Sequence, residues 1–139
     1  MKPAVVRFYI DQDILGLKVL ATLRPDITYP GDPGATVHKR QRPPSPVRPG
    51  ALDVDWLPVV AQQGWLILTR DAHIQRHRAE INAVIEHQAK MVALASENAD
   101  NTWSQLEVVM TQWREIEKLH ALPGPLVFAA YRTKLSRVI

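Results

Sequence analysis

Val5-Val6-Arg7-Phe8-Tyr9-Ile10 is an apolar run that leads directly into Asp11-Gln12-Asp13, and a second run, Trp65-Leu66-Ile67-Leu68-Thr69, leads into Arg70-Asp71. Short runs rich in large apolar residues are typical of strands that are buried on both faces of a parallel sheet. In such a sheet, ligands bind just outside the carboxyl ends of the strands. The two runs therefore predict an acidic pocket at the place where both strands end.

Strand-like and helix-like segments alternate along the rest of the chain, which favours a mainly parallel sheet with helices on both faces. The segment Thr102-Trp103-Ser104-Gln105 matches a capping box, and Trp103, Leu106, Met110 and Trp113 are predicted to form the inner stripe of the helix that it opens. The other predicted helices cover residues 14–23, 53–61 and 71–87, and the other predicted strands cover 26–30, 91–95 and 126–131.

Length and composition predict one domain over residues 1–139, because a chain of 139 residues is ordinary for a single core. Residues 31–50 mix proline, glycine and basic side chains without periodicity, so we expect a long, exposed and mobile basic loop there. The chain contains no cysteine, which excludes disulfides and thiolate catalysis. No apolar run approaches the roughly 18 residues of a membrane span, and the first residues lack a signal-peptide pattern, so we expect a cytoplasmic protein.

The acidic residues at the strand ends predict a metal site. A single aspartate after a strand is more commonly a helix cap, but Asp11 and Asp13 together repel each other unless a cation lies between them. Mg²⁺ and Mn²⁺ prefer such oxygen ligands. Asp71 at the second strand end, with Asp53 or Asp55 at a helix start, brings the set to four acids.

These segments resemble the PIN-like nucleases, and more closely the branch that includes the toxins of VapBC-type toxin–antitoxin pairs. The resemblance rests on Phe8-Tyr9-Ile10-Asp11, Tyr29-Pro30-Gly31, Asp55-Trp56-Leu57-Pro58 and, above all, Trp65-Leu66-Ile67-Leu68-Thr69-Arg70-Asp71.

The resemblance implies a three-layer α/β/α fold and a ribonuclease that depends on Mg²⁺ or Mn²⁺ and is inhibited by a cognate antitoxin protein. Asp11 and Asp71 match the metal-binding acids of the family, Asp55 is the expected intermediate acid, and Asp13 is a supplementary ligand. The pattern departs from that of many PIN nucleases after the fourth strand, where no aspartate stands in register.

Basic residues around this acidic centre are the expected contacts for an RNA substrate, because the chain is modestly basic at +3 and phosphates attract arginine and lysine. The proposed substrate-binding residues are Arg70, Lys39, Arg40, Arg42 and Arg76. The sequence leaves open whether the protein forms a homodimer.

Two other functions fit part of the pattern. A strand followed by Asp11-x-Asp13, with a second strand ending in Thr69, also resembles haloacid-dehalogenase-type phosphatases, in which Asp11 would be the nucleophile and Asp13 the acid and base. The third reading is a binding module in which the acids only cap helices and the basic surface docks nucleic acid or a protein.

Overall fold

A six-stranded sheet forms the centre of the computed structural model, which describes residues 1–70, 78–95 and 98–139. In chain order the elements are β1 (Lys2–Pro3), β2 (Phe8–Ile10), a 3₁₀ helix (Gln12–Thr22), β3 (Ile27–Thr28), β4 (Ala35–Val37), β5 (Arg40–Arg42), α1 (Asp53–Gln62), β6 (Leu66–Arg70), α2 (Arg78–Glu86), β7 (Lys90–Leu94), α3 (Thr102–His120), β8 (Leu126–Ala130) and β9 (Leu135–Arg137). The strand order is β3-β2-β6-β7-β8-β9, and every neighbouring pair is parallel except β8 and β9.

Two apolar clusters on opposite faces of the sheet define three layers. On one face Phe8, Leu66 and Leu68 pack with residues of the 3₁₀ helix and α3, and on the other Tyr9 and Ile67 pack with α1 and α2. This division follows from strand geometry, since successive side chains point to opposite faces. The predicted α/β/α arrangement with a mainly parallel central sheet is therefore confirmed.

Residues 31–50 do not form the predicted loop without regular structure. Within them β4 and β5 pair as an antiparallel hairpin, and β1 joins β5 in parallel to complete a separate three-stranded sheet. The turn consists of His38 and Lys39, whose φ angles are 50° and 62°. Two residues with positive φ are usual in tight hairpins, but they are normally asparagine, aspartate or glycine, so the sequence carried no turn signal here.

A buried ion pair fixes this hairpin to the main body. Arg42 and Asp32 are almost fully buried, and Arg42 Nε donates to Asp32 Oδ2 at 2.6 Å. Arg42 Nη1 also donates to the carbonyl oxygens of Ala21 and Arg24, at 3.0 and 3.3 Å, near the end of the 3₁₀ helix. Thr28 donates to Asp32 from β3. The ion pair therefore links the hairpin to the edge of the central sheet.

The predicted inner stripe of α3 is wrong for Trp103 and Met110, which are 78% and 65% exposed, whereas Leu106 and Trp113 are partly buried and pack against the core as predicted. The cap is also one residue earlier than predicted, since the Asn101 side chain accepts from the Ser104 amide. Two polar residues, Gln105 and Gln112, lie on the inner face, so this face does not show a continuous apolar pattern in the sequence. The Gln112 side-chain amide donates to the carbonyl oxygens of residues 131 and 132. The residues that α3 buries are Gln105, Val108, Val109, Gln112, Ile116 and Leu119.

No helix in the described part of the chain is both long and apolar enough to cross a membrane.

Candidate active site

The carboxyl ends of β2 and β6 lie side by side at the switch point, where the order in which successive strands are added to the sheet reverses. From β2 the chain moves outward to β3, whereas β6 lies on the other side of β2 and leads on to β7. The Asp11 amide continues the ladder by donating to the Leu68 carbonyl at 2.9 Å. A crevice forms at such a switch point because the connections leave the sheet on opposite faces.

The Thr69 hydroxyl stands between two carboxylates at these strand ends. Its Oγ1 lies 2.9 Å from Asp11 Oδ2 and 3.1 and 3.3 Å from the two carboxylate oxygens of Asp13. The Arg70 amide donates to Asp13 Oδ2 at 3.2 Å, and the Gln12 amide donates to Asp11 Oδ1 at 2.7 Å. Asp11 therefore caps the 3₁₀ helix through one oxygen and directs the other towards Thr69.

The environment of Asp11 disfavours its charged form. Burial raises the pKa of the Asp11 carboxyl above its ordinary value, and the hydrogen bonds from Thr69 and Gln12 only partly oppose this. The nearby charge of Asp53 raises the pKa further. Burial also raises the pKa of Tyr9, with help from the charges of Asp11, Asp53 and Asp13, so this phenol stays neutral. A bound cation would relieve this concentration of negative charge.

Of the two candidate aspartates in α1, Asp53 faces this site. Asp53 lines the same cavity as Asp11 and Asp13, whereas Asp55 lines a second pocket beside residues 46–51. The Trp56 indole holds Asp53 in place, since its Nε1 donates to Asp53 Oδ1 at 2.9 Å. Trp56 in turn stacks on Tyr9 with ring centroids 5.1 Å apart. The structure therefore does not bring Asp55 to the strand ends.

The cavity at the strand ends has a volume of about 640 Å³ and continues from β2 and β6 across to α2. Glu80 and Glu86 of α2 line it together with His87, and sequence reasoning did not select any of the three. Ala83 lies three residues after Glu80, three before Glu86 and four before His87, which are the spacings of neighbours on a helix face, so helical periodicity could have identified them once the helix was assigned. The cavity is therefore more acidic than the strand ends alone predict.

The five predicted substrate-binding residues are placed differently. Arg70 lines the cavity, and its Nε is buried without a hydrogen-bond partner among the described residues. Lys39 and Arg40 are exposed on the β4–β5 hairpin. The prediction for Arg42 is wrong, because its guanidinium is buried and donates four hydrogen bonds within the protein, so it is not available to a substrate. Arg76, like Asp71, lies outside the described residues.

The donor set fits a hard divalent cation in its chemistry, since carboxylate oxygens of the half-buried Asp11 and the exposed Asp13 converge on the buried Thr69 hydroxyl. Among the described ranges, no three histidine, cysteine or acidic side chains are grouped closely enough to hold an ion. Asp71 is the next residue in the chain after Arg70, whose backbone amide donates to Asp13.

Comparison with known proteins identifies the family. The family model described as "PIN like domain" matches residues 6–96, which include β2, the 3₁₀ helix, α1, β6 and β7. No curated protein and no solved structure gave a match. The match covers more than half of the chain and includes both strands that carry the acidic site, and PIN-like domains are commonly nucleases. The chain therefore belongs to the family of PIN-like domains.

Proposed function

We propose that this protein is a metal-dependent endoribonuclease that hydrolyses RNA phosphodiester bonds. The observation that carries the proposal is the convergence of Asp11 and Asp13 on the Thr69 hydroxyl at the switch point of the sheet, with Asp53 lining the same cavity. Paired carboxylates at this position match the oxygen ligands that a phosphate-bound Mg²⁺ or Mn²⁺ requires.

Asp11, Asp13, Asp53 and Asp71 are the residues that we propose hold the ion. When bound, a divalent ion polarises the phosphoryl oxygen and lowers the pKa of water, so no protein nucleophile is needed. Thr69 orients the Asp11 carboxylate, and Trp56 orients Asp53. We assign to Asp53 the role of intermediate acid that the sequence predicted for Asp55.

Arg70 is the proposed phosphate contact, because it lines the acidic cavity and its Nε has no partner in the described part of the structure. A guanidinium can donate two parallel hydrogen bonds to a phosphate. Lys39 and Arg40 are proposed to attract the RNA backbone at longer range, because both are exposed on the hairpin, and Arg76 remains a proposed contact from sequence alone.

The proposal is tested by RNA cleavage in the presence of Mg²⁺, Mn²⁺ or EDTA. Asp11→Asn, Asp53→Asn and Asp71→Asn should each lower the cleavage rate by at least about a hundredfold, because each removes a charged ligand. Asp55→Asn is the matched control on the same helix and should retain activity, since Asp55 lines the other pocket. Cleavage that survives in EDTA or in Asp11→Asn would overturn the assignment.

Family membership favours the nuclease over the phosphatase reading of Asp11-x-Asp13. A stable phosphoenzyme formed on Asp11 with a phosphate ester would reverse that preference. The binding-module reading predicts no stabilisation by Mn²⁺ in thermal unfolding, whereas a ligand at a hundred times its Kd should stabilise the folded state by roughly 2.7 kcal/mol.

We further propose that the protein is the toxin of a type II toxin–antitoxin pair, with a cognate antitoxin as its protein partner. Support comes from the resemblance of Trp65–Asp71 to that branch of the family. Induced expression should arrest growth, Asp11→Asn should not, and co-expression of a small protein encoded beside the gene should restore growth. Normal growth during high expression of an active enzyme would contradict the toxin role.

A further inference from the structure

Residues 14–50 form a face of the protein that exposes positive charge and no carboxylate. The structure describes this whole segment, and its two acidic side chains, Asp26 and Asp32, are only 7% and 2% exposed. Both are paired with arginines inside the fold, so neither offsets the charge at the surface. The exposed cations of the segment, together with one from the adjoining strand β1, form what we call the basic face: Lys2, Lys18, Lys39, Arg40 and Arg48.

Three of these cations meet at the tip of the β4–β5 hairpin. Lys2 is the direct partner of Arg40 in the parallel β1–β5 ladder, and Lys39 precedes Arg40 in the turn. Like charges at paired positions on neighbouring strands repel each other. None of the three side chains has a hydrogen bond or an ion pair with another described residue. An anion bound at the tip would therefore offset a repulsion that the fold itself leaves uncompensated.

The hairpin tip lies at the opposite end of the sheet from Asp11. His38 Nε2, at the tip, is 3.0 Å from the carbonyl oxygen of Leu23, directly after the last turn of the 3₁₀ helix. That helix begins beside Asp11 and has 11 residues, so its two ends are about 20 Å apart at a rise of roughly 2.0 Å per residue. The cations at the tip are therefore too far from the acidic site to contact the phosphate that is cleaved there.

The other two cations lie between the tip and the acidic site. Lys18 is exposed on the 3₁₀ helix. Arg48 lies close to the acidic end of that helix, because the Gly50 amide, two residues later, donates to Gln12 Oε1 at 2.9 Å. The basic face therefore extends along the helix from the hairpin to the neighbourhood of Asp11.

An extended series of cations fits a linear polyanion. Three of the five side chains are lysines, and the single aromatic residue of the segment 14–50, Tyr29, packs against the core. Protein–protein interfaces are enriched in aromatic residues and depleted in lysine, whereas nucleic-acid affinity comes largely from lysine and arginine at phosphates. We infer that the basic face binds the RNA backbone away from the bond that is cleaved, an inference that rests on the proposed nuclease function for the identity of the polyanion.

This binding mode sets a minimum length for a good substrate. A stacked strand carries one phosphate per roughly 3.4 Å, so about six nucleotides are needed to cover the distance of about 20 Å from the acidic site to the hairpin tip. RNAs shorter than this reach only part of the basic face and bind more weakly.

The inference is tested by the salt dependence of RNA binding. The affinity for a single-stranded RNA of about 16 nucleotides is measured by fluorescence anisotropy in EDTA, so that binding is read independently of cleavage. Replacing Lys2, Lys39 and Arg40 together by glutamine should weaken binding at least about tenfold at about 0.1 M salt. It should also reduce the slope of log affinity against log salt by about 2, because each phosphate contact of a single strand contributes roughly 0.7.

A matched control removes the same charge elsewhere. Arg114, Lys134 and Arg137 are exposed on α3 and beside β9, so their joint replacement by glutamine keeps the net charge equal to that of the first variant. It should change the salt slope by less than about 0.5, because none of the three belongs to the basic face.

A second variant tests the rest of the face independently. Lys18→Gln combined with Arg48→Gln should lower the salt slope by about 1.4.

Cleavage of RNAs of different length then tests the placement. With Mg²⁺, kcat/KM of the wild-type protein should rise as the RNA is lengthened from about four to about ten nucleotides and then level off. The rise is expected in KM, because binding that is equal in the ground and transition states changes KM alone. The triple variant at the hairpin tip should lack this rise.

The outcomes separate the two proposals. Absence of cleavage in every metal, with the change in salt slope still present, overturns the nuclease and leaves the basic face. A folded triple variant whose RNA affinity and salt slope equal those of the matched control overturns the basic face. Normal RNA binding combined with loss of a co-expressed antitoxin would assign the face to a protein and also overturn the inference, and a wild-type kcat/KM that does not depend on RNA length would overturn the remote placement.

Discussion

Removal of the buried Arg42 guanidinium is expected to destabilise the protein strongly. Arg42→Met keeps much of the aliphatic volume but leaves the Asp32 carboxylate buried, with the Thr28 hydroxyl and the Gly34 amide as its remaining partners among the described residues. It also removes the donor to the carbonyl oxygens of Ala21 and Arg24. Breaking one side of a buried ion pair costs about 3–5 kcal/mol, so a similar loss in the free energy of unfolding is expected.

The assay is equilibrium urea unfolding at pH 7, with Arg40→Met as the control two residues away. Arg40 is exposed, so its replacement should change the free energy of unfolding by no more than about 0.5 kcal/mol. RNA affinity should show the opposite order, because Arg40 is available to the RNA backbone and Arg42 is not. An Arg42→Met variant within about 1 kcal/mol of wild type, or one that folds normally but loses RNA affinity, would refute the structural role.

Three further substitutions test the site and its supports. Trp56→Phe removes the hydrogen bond to Asp53 and should slow RNA cleavage by about tenfold. Because the indole is buried against Tyr9, the smaller ring should also lower the free energy of unfolding by about 1–3 kcal/mol. Gly34→Ala should lower the free energy of unfolding by about 2–4 kcal/mol, because φ is 84° at this position and the added Cβ would lie 2.5 Å from the carbonyl oxygen of Arg42. Gly50→Ala is the control: φ is similar, at 76°, but no atom lies within 4 Å of the added Cβ, so the loss should be only about 1–2 kcal/mol. Asp26→Asn should be more destabilising at pH 7 than at pH 2.

The pH dependence of Asp26 follows from its two arginine partners. Burial alone would raise the pKa of Asp26, but hydrogen bonds from Arg24 and Arg7 outweigh it and hold the pKa below the ordinary value of 3.8. The stabilisation is therefore complete above about pH 4 and disappears as the pH falls through the folded-state pKa. Unfolding measured in urea at both pH values checks this, and an equal deficit at pH 7 and pH 2 would contradict it.

The outcomes for the other two substitutions are equally specific. Wild-type cleavage by Trp56→Phe would show that the indole does not position Asp53. Equal losses in the free energy of unfolding for Gly34→Ala and Gly50→Ala would show that the close contact between a Cβ at position 34 and the Arg42 carbonyl oxygen adds nothing to the cost of the positive φ angle.

The sequence predicts the core of this fold well, because the two strands that lead into Asp11 and Arg70 carry apolar side chains on both faces, and such strands are stable only when both faces are covered. It fails where short elements depend on tertiary partners. The three-residue strands of the hairpin are too short for a clear alternation, and the Arg42 ion pair joins residues ten apart in a stretch rich in proline. A charged side chain in such a stretch is read as exposed, because charges are rarely buried without a partner that the sequence does not reveal.

The candidate site shows the same limit. Asp11 and Asp13 were identifiable because they follow a strand directly, whereas the choice between Asp53 and Asp55 depends on which side of α1 each residue faces. Helical periodicity near the first turn could not decide this, since neither residue belongs to the buried stripe. The hydrogen bond from Trp56, three residues after Asp53, provides the decisive local contact.

The two outermost strands of the central sheet have a consequence for self-association. At one side β3 has only two residues, and at the other β9 has three and runs antiparallel to its neighbour. Short edges offer few unpaired amide and carbonyl groups to a second chain, so they protect the protein from joining sheets end to end and from aggregation by strand addition. The interface of a homodimer is therefore expected to be made by side chains rather than by a continuation of the central sheet.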